Sequence, residues 1–274
     1  MPWYENRTGK RLWYEDRAAG RPVVLIHGWC MSSAVWKYQF DDLDASRVIA
    51  PDLRGHGLSR GTSGFLDFES FANDLVDLCE LLDLEHVVLV GWSMGGQIAL
   101  QAYSQLSGRL AGMVLVSATP CFTTVEGYPY GLSATESRGM RLKVERNLQR
   151  ALEGFYSRLF VEGELENHPF AGDIKQLLSS VTLPDTAAVL DALDALARTD
   201  MRPILDSIAT PTLILNGTED RICLPEASSY LKERIPRAEQ VQFPHCGHAP
   251  FLTQSPQFNA ELLKFVRSIS EQNA

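Results

Sequence analysis

Apolar residues along this chain fall into short uninterrupted blocks separated by amphipathic stretches. Residues 23–26 (Val-Val-Leu-Ile), 47–50, 87–90 (Val-Val-Leu-Val), 113–116 (Met-Val-Leu-Val), 212–215 (Thr-Leu-Ile-Leu) and 240–243 read as strands. Most show no polar alternation, the pattern of parallel strands buried on both faces. Residues 3–5 and 11–14, separated by a turn at Thr8-Gly9-Lys10, read as a hairpin. Between the strands, 68–84 has helical rhythm, with Phe71, Leu75, Leu78 and Leu82 on one stripe. Residues 97–102 and 256–270 read as further helices. Strands alternating with helices predict an α/β fold, a mostly parallel sheet flanked by helices.

From about Pro120 to Arg202 the strand pattern stops. Residues 136–160, 173–181 and 185–199 all read as helices, the last opening after Pro184. The expected organisation is a core of residues 1–119 and 203–274 with a helical lid, 120–202, inserted over the strands' C-terminal ends. Open parallel sheets place their ligands at that edge.

The chemistry starts at Gly91-Trp92-Ser93-Met94-Gly95, a G-x-S-x-G between a strand and a helix. In that context a tight turn lifts a serine hydroxyl into a cleft. A serine needs a base within hydrogen-bond reach. Of the six histidines, His248 is favoured because it lies in a loop after the last strand. His245 is its neighbouring rival. His86 precedes its strand, His27 and His56 read as structural, and His168 is expected to be exposed in the lid. Asp220, after the strand 212–215, is the expected acid that orients the histidine, with Glu219 as rival. The order Ser93, Asp220, His248 across three strand-end loops is more specific than any one motif. The oxyanion donors are expected to be the N–H groups of Met94 and of Trp29, whose indole could also wall the acyl pocket.

Composition narrows the classes. The chain has 274 residues, 45% hydrophobic, with net charge −9. That balance argues against non-specific binding to nucleic acid or anionic membrane. No apolar run approaches the ~20 residues of a membrane span, and the first seven residues lack a secretion-signal profile. Five scattered cysteines without C-x-x-C suit free thiols in a reducing cytoplasm and no metal site. No cofactor motif is present.

The whole chain resembles the α/β-hydrolase superfamily. Four stretches are similar to the pimeloyl-[acyl-carrier protein] methyl ester esterases of biotin synthesis: Leu25-Ile26-His27-Gly28-Trp29, Gly91-Trp92-Ser93-Met94-Gly95-Gly96, Ser117-Ala118-Thr119-Pro120-Cys121-Phe122 and His248-Ala249-Pro250-Phe251. The resemblance implies a serine carboxylesterase that removes the methyl group from the far end of a carrier-bound acyl chain. It also implies substrate contacts at Leu148, Gln149, Arg150, Ala151 and Leu152. Leu148, Leu152, Phe155 and Leu159 would share one face, suited to an acyl tunnel or to plain core packing. The chain departs from the pattern in much of the lid and carries Cys30 where glycine is expected.

The partner would be an acidic acyl-carrier protein. Residues 138–158 hold six basic residues against Glu145 and Glu153, with Lys143, Arg146 and Arg150 on one helical stripe. A solvated helix with internal ion pairs would give the same composition. Two other readings stay open: a general short-chain carboxylesterase or C–C hydrolase, and a non-catalytic binding member of the fold. Dehalogenase chemistry would need an aspartate in place of Ser93.

Overall fold

The computed structural model describes residues 2–17, 19–43, 46–62, 64, 66–166 and 168–271, with residues 270 and 271 described by backbone alone. The outer ends of the expected core, Met1 and 272–274, lie outside the described residues. Eight strands form one sheet in the order β1-β2-β4-β3-β5-β6-β7-β8. They are β1 (Trp3–Glu5), β2 (Arg11–Arg17), β3 (Arg21–Ile26), β4 (Ser46–Pro51), β5 (Val87–Trp92), β6 (Leu110–Val116), β7 (Thr212–Gly217) and β8 (Ala238–Phe243). The first hairpin is antiparallel and joins β4 antiparallel; all other pairs are parallel. β5 is buried at every position, as its unbroken apolar run requires.

Register places the functional loops on one edge. Ile26 pairs with Gly91, Trp92 with Val116, Val116 with Leu215, and Gly217 with Phe243. The loops after β3, β5, β7 and β8 therefore leave the sheet side by side. The helices of the core are α1 (Lys37–Asp42), α2 (Phe68–Leu81) and α3 (Met94–Leu106). α2 starts where the Asp67 side chain accepts from the Ser70 N–H, 2.8 Å away, and ends three residues before the expected 84.

Between β6 and β7 lie α4 (Ala134–Arg146), α5 (Leu148–Tyr156), α6 (Ala171–Ser180) and α7 (Thr186–Arg198). The single helix predicted over 136–160 is instead two helices. Asn147, at φ −165° and ψ 99°, ends α4, and its side chain accepts from the Arg150 N–H (2.9 Å) to start α5. Lys143 and Arg146 thus lie on one helix and Arg150 on the next, so no continuous stripe joins them. The segment is also not wholly helical. Isolated bridges pair Cys121 with Asp200, Thr123 with Leu132 and Val125 with Tyr128.

The segment seats on the core through α7. The Trp29 indole N–H donates to the Val189 carbonyl (3.1 Å), and the Asp185 N–H donates to the Gly55 carbonyl (2.9 Å). Gly55 has φ +78°, and a Cβ there would lie 2.2 Å from the Ala188 Cβ, so only glycine permits this docking.

The chain continues with α8 (Pro225–Arg234), α9 (Pro250–Thr253) and α10 (Ser255–Glu271). The short α9 was not expected; Pro250 opens it, as proline suits a first helical position. No helix among the described residues is long and apolar enough to cross a membrane.

Candidate active site

Ser93 sits between β5 and α3 at φ 55° and ψ −117°, a strained conformation for a residue with a Cβ. The turn closes because its neighbours lack side chains. A Cβ on Gly91 would lie 2.4 Å from the Gly95 carbonyl oxygen, and one on Gly95 would lie 2.3 Å from that of Ile26. The Ser93 N–H donates to the Val116 carbonyl (2.9 Å) and fixes the turn on β6. Met94 opens α3, so its N–H belongs to the first turn, where donors lack intrahelical acceptors and the helix end is positive.

The loop after β3 abuts this turn. Gly28 is needed for closeness, not for a left-handed backbone: a Cβ there would meet the Trp92 ring at 3.1 Å and the Ser93 Cβ at 3.4 Å. Two residues on, Cys30 has φ +58°. That is the left-handed region, which explains why glycine is the expected residue there.

Asp220 and His248 meet in the interior, both side chains fully buried, with His248 Nδ1 2.7 Å from Asp220 Oδ2. The other carboxylate oxygen accepts from the N–H groups of Ile222 (2.8 Å) and Cys223 (3.1 Å). The histidine's backbone is held on both sides. Its N–H donates to the Leu159 carbonyl (2.7 Å), and its carbonyl accepts from the Trp92 indole (2.8 Å). His248 Nε2 has no partner among the described residues. Nucleophile–base bonds are often unmade before substrate binds. The Cys223 thiol near Ser93 is pushed well up by burial, with the Asp220 charge adding to the shift and the Ser93 hydroxyl partly offsetting it.

The two rivals, His245 and Glu219, pair with each other at 3.3 Å, His245 being 92% exposed. His86 is exposed at the start of β5. His168 is half-buried rather than exposed, because its Nε2 lies 2.6 Å from the Thr253 carbonyl.

His27 and His56 are buried structural residues. His27 Nδ1 faces the Gly28 carbonyl (2.8 Å), and its Nε2 accepts from the Leu53 N–H (3.0 Å), which requires the neutral ring. Burial lowers both from 6.5 to about 4, and the ring of His27, 5.4 Å away, adds to the shift at His56. The unfolded chain therefore binds more protons between pH 6.5 and 4, so stability falls as pH drops through that window. The change at His27 corresponds to on the order of 3 kcal/mol at full protonation. Urea midpoints measured from pH 7.5 to 5 should decline steadily below 6.5; a flat profile would contradict this assignment.

A narrow cavity of about 40 Å³ lies over Ser93, lined by Trp29, Phe122, Met140, Phe155, Leu193 and Ile222, with Glu136 and Arg158 as its charged members. Arg158 also lines an outer groove of about 860 Å³ between α5 and α6. Of the residues expected to touch substrate, none of Leu148, Gln149, Arg150, Ala151 and Leu152 lines the inner cavity. Gln149 and Leu152 face the outer groove. Phe155, further along the same helix, is the one whose ring packs edge-on against Trp29 (4.9 Å) and lines the cavity. Ile222 and Cys223 were missed by sequence reasoning, although their position just after Asp220 was a usable signal. Phe122 lies in the 117–122 stretch that carries the resemblance, without a role assigned to it, and Leu193 had no signal, since only tertiary packing brings it to Ser93. All five cysteines are buried free thiols, and no metal-holding cluster of three or more His, Cys, Asp or Glu occurs among the described residues.

The alpha/beta hydrolase fold family matches residues 21–255. A pimeloyl-[acyl-carrier protein] methyl ester esterase of Nitrosospira multiformis is 30% identical, covering 93% of this chain and 98% of its own. A non-heme chloroperoxidase of Kitasatospora aureofaciens is 31% identical over 97% and 99%. Among solved structures, an esterase from Exiguobacterium antarcticum superposes with a TM-score of 0.89 at 28% identity, over 97% and 98% of the two chains. The chain belongs to the α/β-hydrolase fold family and is a hydrolase of the carboxylic-ester class.

Proposed function

We propose that this enzyme hydrolyses the methyl ester of a pimeloyl group carried on acyl-carrier protein, with Ser93 as nucleophile, His248 as base and Asp220 as orienting acid. The observation that carries the reading is the buried His248–Asp220 pair, with an open Nε2 and its ring 5.5 Å from that of Trp92, the residue before the elbow serine that lines an apolar cavity. The Nitrosospira relative's name supplies the substrate.

In the reaction, the Ser93 hydroxyl turns to His248 Nε2 and gives up its proton as Oγ attacks the ester carbonyl. The N–H groups of Trp29 and Met94 receive the oxyanion. Collapse expels methanol, protonated by His248. Water, deprotonated by His248, then releases the acyl group as a carboxylate and restores Ser93. Nδ1 bonded to Asp220 keeps Nε2 the basic nitrogen throughout.

The inner cavity holds only a few waters as it stands. An acyl chain therefore requires residues such as Phe155 and Met140 to give way, which fits a lid role for 120–202. The outer groove behind Arg158 offers room for the carrier's arm. Lys143, Arg146 and Arg150 are exposed and would meet the acidic carrier. Arg141 is engaged by Glu145 and Asp194 and is not assigned to that surface.

Reversing Arg146 and Arg150 to Glu should lower kcat/KM for carrier-bound ester by about 10-fold at low salt, with the loss shrinking as salt rises. Turnover of a nitrophenyl ester should barely change. Equal loss on both substrates, or none, would move the carrier elsewhere. The narrow cavity favours a second reading, a general short-chain carboxylesterase. Growth without biotin in a host lacking its own esterase separates the two.

A further inference from the structure

We propose that Glu164 is the positioning residue through which the α5–α6 segment holds His248 in place; this rests on the reading of His248 as the base. Glu164 lies in the loop between α5 and α6, far from Asp220 in sequence and outside the pair already described. One carboxylate oxygen accepts from the N–H groups of Val161 (2.8 Å) and Gly247 (2.9 Å). The other accepts from the Thr253 hydroxyl at 2.6 Å. The single side chain thus grips the loop just before His248 and the helix α9 just after it.

Two neighbouring contacts run in parallel. The Leu159 carbonyl accepts from the His248 N–H (2.7 Å), and His168 Nε2 lies against the Thr253 carbonyl (2.6 Å). The approach is close enough to exclude any side chain at residue 247. A Cβ on Gly247 would lie 2.5 Å from the Leu159 carbonyl oxygen and 3.1 Å from the Phe160 Cα.

Asp220 sets the orientation of the imidazole ring, but it does not fix where the His248 backbone stands. On this side of the histidine, that location comes from Leu159, Glu164 and His168. Ionised acceptors make the stronger hydrogen bonds, so Glu164 dominates the set. A base displaced by about 1 Å can lose on the order of 10²-fold in rate. The same contacts mean that a movement of this segment on substrate binding is felt at His248.

The test uses the full-length enzyme with a small nitrophenyl ester, which avoids the carrier. Glu164→Ala should lower kcat by about 10- to 100-fold with KM within about 2-fold, since the reacting groups and not the acyl cavity are disturbed. Glu164→Gln should stay within about 3-fold of the parent. Its amide oxygen can accept from Gly247 while its N–H donates to Thr253. Thr253→Ala removes one contact and should cost kcat about 3- to 10-fold, less than additively in combination with Glu164→Ala.

If Glu164→Ala does not fold, judged by circular dichroism, Thr253→Ala and Glu164→Gln carry the test alone. Folded Glu164→Ala or Thr253→Ala with parental kcat would overturn the proposal. So would a loss confined to KM, or Glu164→Gln as impaired as Glu164→Ala. His248→Ala, assayed alongside, separates the two readings. Parental activity there would remove the base assignment itself, whereas its loss beside an intact Glu164→Ala would remove this inference only.

Discussion

Ser93→Ala is expected to lower kcat by roughly 10⁴-fold or more while leaving the protein folded. Alanine keeps the Cβ, so the elbow's tight contacts at Gly91 and Gly95 are unaltered. The left-handed backbone at Ser93 is held by its N–H bond to Val116, which does not involve the side chain. What is lost is the hydroxyl alone. Stability should therefore change by about 1 kcal/mol or less, the ordinary range for losing one weak hydrogen bond. Steady-state turnover of a nitrophenyl ester, with urea unfolding of both proteins, checks both halves. A second check is mass spectrometry after a fluorophosphonate: the parent should gain one adduct at Ser93 and the variant none. Near-normal turnover by the folded variant would sink the mechanism.

His248→Ala should be as damaging as the serine change, because nucleophile and base act as a unit. The variant also leaves Asp220 Oδ2 buried without its partner, so a loss of stability of about 1–3 kcal/mol is expected. His248→Gln separates the two effects. Its amide N–H can still donate to Asp220, so stability should recover in part, yet it offers no basic nitrogen and should stay inactive. His245→Ala is the control. That ring is almost fully exposed and meets Glu219 at 3.3 Å, an arrangement worth little in water. Its kcat should remain within about 2-fold of the parent. Equal damage at His245 and His248 would mean that the base has been misplaced.

His248 and His245 are three residues apart, and Asp220 and Glu219 are adjacent, so local pattern could only rank them. Tertiary structure separates them by burial. The inner histidine meets the inner carboxylate, and the outer pair meets in solvent. The carboxylate selected is the one whose second oxygen can accept from Ile222 and Cys223, a condition no spacing rule expresses.

The segment 120–202 was the least legible part for a related reason. Helical rhythm across 136–160 is continuous in apolar spacing, and Asn147 is an unremarkable residue within it. Its cap bond to Arg150 breaks the helix there, and the packing of α5 against Trp29 brings Phe155, not Leu148 or Leu152, to the cavity over Ser93.

What the sequence determined by itself is what short-range physics controls. Apolar blocks of four residues, too short for helices and bounded by turn signals, read as strands covered on both faces, and 87–90 is buried throughout in β5. Small residues around Ser93 are demanded by contacts within the same turn or with the next strand, so the elbow is readable from five letters. The order of strand-end loops then brings 27–29, 93, 220 and 248 to one edge of a parallel sheet. What only the tertiary structure decided depends on contacts between segments far apart in the chain. Trp29 closes on Val189, Glu164 on Gly247 and Thr253, and Leu159 on His248. Such contacts leave no periodic trace, because each is a single donor meeting a single acceptor across a packed interface.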